Sequence, residues 1–158
     1  MRRMALWLGL SALVIALDQL SKLWILSAFK FGQSVAVTSF FNLVLVYNSG
    51  AAFSFLSDAG GWQRWFFVVL ALAISVWLAL LIRAHGAERL LPLAAALVLG
   101  GALGNVIDRV LYGAVIDFLD VHAVGYHWPA FNVADSAISL GVALLIWQQL
   151  FHAGEEKK

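Results

Sequence analysis

Four long apolar stretches, separated by shorter polar segments, organise this 158-residue chain. A helix that crosses a lipid bilayer needs about 20 mostly apolar residues, and each stretch approaches this length. We therefore predict four transmembrane helices within one membrane domain, 1–158. The predicted spans lie at about 4–26, 65–82, 90–110 and 134–151. The connecting segments at about 27–64 and 111–133 are then extramembrane.

The first connecting segment has a different pattern from the helices. Residues 34–38 and 40–47 are rich in β-branched and aromatic side chains with partial alternation, which is typical of strands. They predict a short antiparallel sheet at the membrane surface, followed by a short interfacial helix at 51–56. An irregular, aromatic-rich loop is the alternative. The expected fold class is an all-α polytopic membrane protein with a small outer sheet.

Composition agrees with a membrane protein and excludes several other classes. Apolar residues make up 63% of the chain and charged residues only 12%, roughly half the share usual in soluble proteins. An ordinary soluble domain and a disordered chain are both excluded. The net charge of +1 gives no basic face for nucleic acid. The absence of Cys excludes disulfides, thiol nucleophiles and Cys-based metal sites.

The positions of Lys and Arg predict the orientation, because basic residues favour the cytoplasmic side. Six of them lie near one set of span ends: Arg2, Arg3, Arg83, Arg89, Lys157 and Lys158. Lys30 and Arg64 lie near the other set. Both termini are therefore expected in the cytoplasm. The basic start could also suggest a signal peptide, but no small-residue cleavage site follows, so we expect a retained span.

Charged and amide side chains interrupt the first and third spans, where they are costly unless they face partners. Asp18 and Lys22 are four residues apart and can pair on one helix face. In the third span, Gly101, Asn105 and Asp108 share one stripe, with Arg109 beside it. The alternative to a functional site is a set of ion pairs and hydrogen bonds that only hold the helices together.

Two further carboxylates lie outside the third span. Asp117 is placed among apolar neighbours, and Asp135 opens the fourth span, where Asn132 can cap the helix and Asp135 can simply favour its dipole. Together with Asn48, these residues are expected at the same depth as the polar stripe. Two close carboxyls share a proton, so one can activate water while the other donates.

Other readings of these residues are weaker. A metal site from Asp117, Asp120, His122 and His127 is conceivable, but the spacing matches no ligand motif. A small transporter or channel, with its polar site near the outer leaflet, remains the alternative function. A scaffold protein whose polar stripe serves only helix packing is a third possibility.

Five short motifs, in order, resemble the lipoprotein signal peptidase family, also called signal peptidase II. They are Asp18-Gln19-Leu20-Ser21-Lys22, the segment Tyr47 to Ser54, the segment Gly101 to Arg109, Val115-Ile116-Asp117-Phe118 and the segment Phe131 to Ser136. The resemblance covers nearly the whole chain. The family often has Thr at the position of Ser49, a change that keeps the hydroxyl.

The resemblance implies a bacterial aspartyl protease of the cytoplasmic (inner) membrane, with four spans, an outer β-cradle and an active site toward the outer face. It implies that Asp117 and Asp135 are the catalytic dyad. It further implies substrate-binding roles for Asn48, Gly101, Asn105, Arg109 and Asn132, supported by Asp18, Lys22 and Asp108. The expected substrate is a diacylglyceryl-modified prolipoprotein, cut just before its lipidated Cys. No metal or cofactor is expected, globomycin is the expected inhibitor, and we expect a monomer in contact with membrane lipid.

Overall fold

The computed structural model describes residues 2–50 and 60–152. Within them, the elements follow the order α1 (Arg2–Ala28), β1 (Ser34–Thr38), β2 (Phe41–Asn48), α2 (Trp62–His85), α3 (Leu90–Tyr112), β3 (Val115–Ala123), β4 (Tyr126–His127) and α4 (Val133–His152). All four helices are long and apolar enough to cross a membrane. The predicted four-helix membrane protein with a small sheet is thus confirmed, while the interfacial helix predicted at 51–56 lies outside the described residues.

Helix α3 is the centre of the bundle and packs against the other three helices. Its glycines make this possible, because small residues let helix backbones approach closely in a membrane. A methyl group at Gly100 would overlap Val14 of α1, and one at Gly101 would overlap Ala134 and Ile138 of α4. Helix α3 is consequently mostly buried, whereas α1, α2 and α4 present many apolar side chains on the outside, where lipid can contact them.

The strands form one antiparallel sheet in the order β1-β2-β3-β4 at one end of the helices. Strand β3 was not predicted from the sequence, which indicated only an extramembrane segment there. Gly113 ends α3 in the left-handed conformation, with φ 82°, and its N–H donates to the Arg109 carbonyl at 3.2 Å. Glycine adopts this conformation without steric cost, so the chain turns and pairs with β2 as β3.

A small apolar core beneath the sheet fixes which way β3 faces. Ile116 and Phe118 are buried against Ile25 of α1 and Leu45 of β2. Successive side chains of a strand point to opposite faces, so the residue between them must point away from this core. Asp117 therefore faces the opposite side, where its carboxylate contacts Asn48 of β2 and Asn132, the residue directly before α4.

Candidate active site

A buried ion cluster joins α1 to α3. The Lys22 ammonium lies 2.7 Å from a carboxylate oxygen of Asp18 and 2.7 Å from one of Asp108, and all three side chains are at most 2% exposed. Lys22 also donates to Asn105 Oδ1 at 3.1 Å. Two carboxylates around one ammonium compensate its burial, which would otherwise be strongly unfavourable. The predicted pairing of Asp18 with Lys22 is present, and Asp108 completes it.

Each carboxylate of the cluster also holds a backbone amide next to a candidate catalytic residue. Asp18 Oδ1 accepts a hydrogen bond from the N–H of Ala134 at 2.9 Å, and Asp108 Oδ2 accepts one from the N–H of Ile116 at 3.1 Å. Ala134 directly precedes Asp135, and Ile116 directly precedes Asp117. The cluster thereby sets the backbone position of both acids.

Asp117 lies in a polar but nearly dry site, with only 3% of its surface exposed. Its carboxylate accepts hydrogen bonds from Asn132 Nδ2 at 2.8 Å and Asn48 Nδ2 at 3.2 Å. Burial, followed by the negative charge of Asp135, raises the pKa of Asp117 to about 7. The two amide donors oppose this rise without cancelling it. Near neutral pH this carboxyl can therefore exist with or without its proton.

Asp135 occupies the first turn of α4, as the sequence predicted. Its backbone N–H donates to Asn132 Oδ1 at 2.9 Å, so Asn132 does cap the helix. Its carboxylate accepts a hydrogen bond from Asn105 Nδ2 at 2.8 Å. Asn132 Nδ2 also lies 3.3 Å from Asn105 Oδ1, which completes a chain of amides between Asp117 and Asp135. Capping and a role at the site are therefore compatible for these residues.

A cavity of about 410 Å³ opens beside these groups. Its polar lining comes from several elements, and its remaining wall is mostly apolar and is formed largely by residues 128–131. The polar lining comprises Asn48, Asn105, Arg109, Asp135, Ser136 and Ser139. A mainly apolar pocket with a few convergent polar groups is typical of a ligand or substrate site. Asp117 and Asn132 lie behind this lining, within hydrogen-bond distance of Asn48 and Asn105 respectively.

Arg109 connects the cavity to the segment that follows β2. Its Nη2 donates to the Gly50 carbonyl at 2.9 Å, and its guanidinium lies 5.2 Å from the centre of the Phe67 ring on α2. Its Nε is buried and, among the described residues, has no hydrogen-bond partner. Arg109 thus holds three parts of the chain together and keeps donor capacity at the cavity.

Gly101 occupies a different position from the other candidate binding residues. It lies in the contact between α3 and α4, against Ala134 and Ile138, and does not line the cavity. It determines how closely α4, and with it Asp135, approaches α3.

The motifs also contain groups whose contacts the sequence did not indicate. Gln19 Nε2 lies within 3.2 Å of Asp18 Oδ2, 2.9 Å of Asp108 Oδ1 and 3.2 Å of the Gly104 carbonyl, so it closes the ion cluster from α1. Only its position next to Asp18 could have suggested this role.

Asp120 belongs to a separate group on the sheet. Its carboxylate accepts from Asn42 Nδ2 at 2.8 Å and lies 2.8 Å from His127 Nδ1. Burial acts to raise the pKa of Asp120, but these hydrogen bonds and the charges of His127 and His122 outweigh it and hold the pKa below its usual value. Although Asp120 and Asp117 share β3, the structure does not bring Asp120 to the cavity beside Asp135.

Comparisons with known proteins agree on one family. A family model described as signal peptidase (SPase) II matches residues 10–151. The lipoprotein signal peptidase of Janthinobacterium sp. (strain Marseille) is 56% identical over 149 residues, which is 94% of this chain and 90% of that protein. The lipoprotein signal peptidase of Burkholderia vietnamiensis is 60% identical over 147 residues, or 93% and 89% respectively.

Two solved structures share the fold. A bacterial membrane enzyme solved by the in meso method at 2.3 Å resolution has a TM-score of 0.86 and 35% identity, covering 98% of this chain and 92% of that one. A second, at 1.9 Å resolution, has a TM-score of 0.76 and 33% identity, covering 93% and 94%. These similarities do not favour a transporter or channel. This multi-pass membrane chain belongs to the signal peptidase II family of peptidases.

Proposed function

We propose that this chain is an aspartic endopeptidase. It removes the signal peptide from diacylglyceryl-modified prolipoproteins by cutting just before the lipidated Cys. The observation that carries the proposal is the pair of acids Asp117 and Asp135, held on β3 and α4 by a continuous set of amide donors beside a mainly apolar cavity. The names of the relatives support the substrate class.

The chemistry follows from one proton shared by the dyad. The ionised carboxylate removes a proton from a water molecule, whose oxygen attacks the scissile carbonyl carbon. The protonated carboxyl donates to the carbonyl oxygen as negative charge develops there. The C–N bond then breaks, and a carboxyl proton passes to the leaving amine of the lipidated Cys. The pKa of Asp117 near 7 supports this sharing, because neither proton state is strongly favoured at neutral pH.

Substrate binding is assigned to Asn48, Gly101, Asn105, Arg109 and Asn132. The three amides and the guanidinium can hold an extended peptide backbone, while Gly101 acts through the spacing of α3 and α4. The two acyl chains of the substrate lie against apolar helix faces, where membrane lipid otherwise binds. Asp18, Lys22 and Asp108 support the site by fixing the amides of Ala134 and Ile116.

The proposed location is the bacterial cytoplasmic membrane, with both termini in the cytoplasm and the dyad toward the outer face. The placement of Arg3 and Arg89 at the helix ends opposite the sheet supports this orientation. The enzyme acts as a monomer, needs no metal or cofactor, and is inhibited by globomycin-type cyclic peptides, which compete for the cavity.

The test measures how the purified enzyme, in detergent, cleaves a purified diacylated prolipoprotein. Cleavage is detected as a mobility shift of the prolipoprotein on a gel. Asp117→Asn and Asp135→Asn each should reduce cleavage below detection, since each removes a titratable carboxyl while preserving shape. Asp120→Asn is the matched control, because it changes an acid on the same strand three residues away, and it should retain most activity.

Thermal melting, monitored by tryptophan fluorescence, establishes that each variant is folded. Substantial cleavage by a folded Asp117→Asn or Asp135→Asn enzyme would refute the dyad. Cleavage of a non-lipidated precursor at the same rate would refute the substrate assignment while leaving the dyad intact.

A further inference from the structure

A second cavity lies at the end of the bundle opposite the sheet, between the start of α1 and the connection from α2 to α3. Its volume is about 400 Å³. Along α3, Leu90 at this cavity is 15 residues from Asn105 at the candidate active site, or about 22 Å at the rise of an α-helix. The two cavities are therefore separated by most of the thickness of a bilayer core.

The walls of this cavity combine cationic and apolar groups. Arg3 and Arg89 line it from two different segments, and Leu6, Trp7 and Leu93 line it toward the middle of the bundle. Glu88 is the only acid in the lining, and within the described residues no ion pair joins it to either arginine. The cavity therefore has an excess of positive charge. Leu6, Trp7 and Leu93 form its apolar floor.

Arg3 and Arg89 form the cationic rim of the cavity, and local hydrogen bonds position the chain around it. Arg3 Nη1 donates to the Ala87 carbonyl at 2.6 Å, and Trp7 Nε1 donates to the Gly86 carbonyl at 3.3 Å. These bonds fix α1 to the short α2–α3 connection and, within the part of the chain that the structure describes, leave most of the five guanidinium N–H donors of Arg3 available. Arg89 is the residue preceding α3, whose first turn contains no acid and no side-chain cap. The positive end of the α3 dipole adds to the charge at the rim.

From this arrangement we infer a binding site for an anionic phospholipid. Its phosphate headgroup contacts Arg3 and Arg89, and its glycerol backbone and first acyl carbons rest on Trp7, Leu6 and Leu93. Charge complementarity selects an anionic headgroup, since basic pockets between transmembrane helices bind such lipids. The rim lies at the ends of α1 and α3 that are remote from the candidate active site. The bound lipid therefore belongs to the membrane leaflet on that side, opposite the candidate active site.

The test uses the full-length protein, delipidated in a neutral detergent and examined by native mass spectrometry with equal amounts of phosphatidylglycerol and phosphatidylcholine. The wild-type protein should retain phosphatidylglycerol in preference by about 10-fold or more, since each basic residue near a membrane surface contributes about fivefold. The double variant Arg3→Gln/Arg89→Gln should lose most of this preference. Arg83→Gln is the matched control, an exposed arginine near the same end that does not line the cavity, and it should keep the preference.

Further arms separate the remaining explanations. Arg3→Lys/Arg89→Lys keeps the charge and should restore part of the preference, which keeps the test decisive if the Gln variant unfolds. Equal retention of the two lipids by the wild type, or equal loss in Arg83→Gln, overturns the proposal. So does inorganic phosphate that displaces phosphatidylglycerol at equal concentration, because the apolar floor would then contribute nothing.

Discussion

Replacing Asp117 with Asn should stabilise the protein increasingly as the pH rises. The folded protein raises the pKa of this carboxyl from 3.8 to about 7, mainly through burial. Because the pKa of this carboxyl is higher in the folded state, the folded protein binds the proton more tightly than the unfolded chain does. The stabilisation that results is complete below about pH 4 and is lost as the pH rises to about 7. Asn has no proton to lose, so the variant escapes this loss.

The magnitude follows from the two pKa values. Each pH unit between 3.8 and about 7 costs the parent protein about 1.4 kcal/mol, or about 4 kcal/mol in total. The free energy of unfolding of the variant, relative to the parent, should therefore increase by about 4 kcal/mol between pH 4 and pH 8. For a chain of this size, the difference in melting temperature should change by roughly 10 °C.

The seven Trp residues provide the assay, thermal melting by intrinsic fluorescence in one detergent across pH 4–8. Asp120→Asn is the control. Because hydrogen bonds and His charges hold the pKa of Asp120 below its ordinary value of 3.8, its stabilising effect is lost only below about pH 4, so the difference between this variant and the parent should stay nearly flat over pH 4–8. A difference between Asp117→Asn and the parent that stays flat over this pH range would refute the reasoning.

Three other substitutions test the packing and the polar network. Lys22→Met leaves two carboxylates buried without their cation, and should lower stability by about 3–5 kcal/mol; an unchanged melting temperature would contradict this. Gly101→Val forces α3 and α4 apart, and should cost about 1–3 kcal/mol or more, whereas Gly9→Val, with open space around it, should not. Asn132→Ala removes the helix cap and a donor to Asp117, and should slow cleavage about 100-fold, measured as the initial rate of the mobility shift.

The sequence was sufficient to predict the helices and the local pairs. A bilayer requires long apolar stretches, so four spans could be recognised from length alone. The contact of Asp18 with Lys22 and the capping by Asn132 depend on spacings of three or four residues, which helix geometry fixes.

Contacts between distant elements could not be predicted in the same way. Whether Asp108 pairs with Lys22 depends on the packing of α1 against α3, which no local spacing determines. Strand β3 was also missed, because five of its first six residues are buried by long-range pairing and its side chains lack a simple alternation of apolar and polar types. The turn at Gly113 followed by the β-branched Val115 and Ile116 was the available signal.

The backbone hydrogen bonds of Asp18 and Asp108 have a consequence for how the enzyme is made. Both acids of the proposed dyad depend on one cluster whose members come from α1 and α3, while the acids themselves follow on β3 and α4. A chain that is still being inserted, and has not yet delivered Ala134, lacks an aligned second acid. Cleavage activity should therefore appear only at the last step of membrane assembly. Partly inserted chains should not cleave neighbouring proteins.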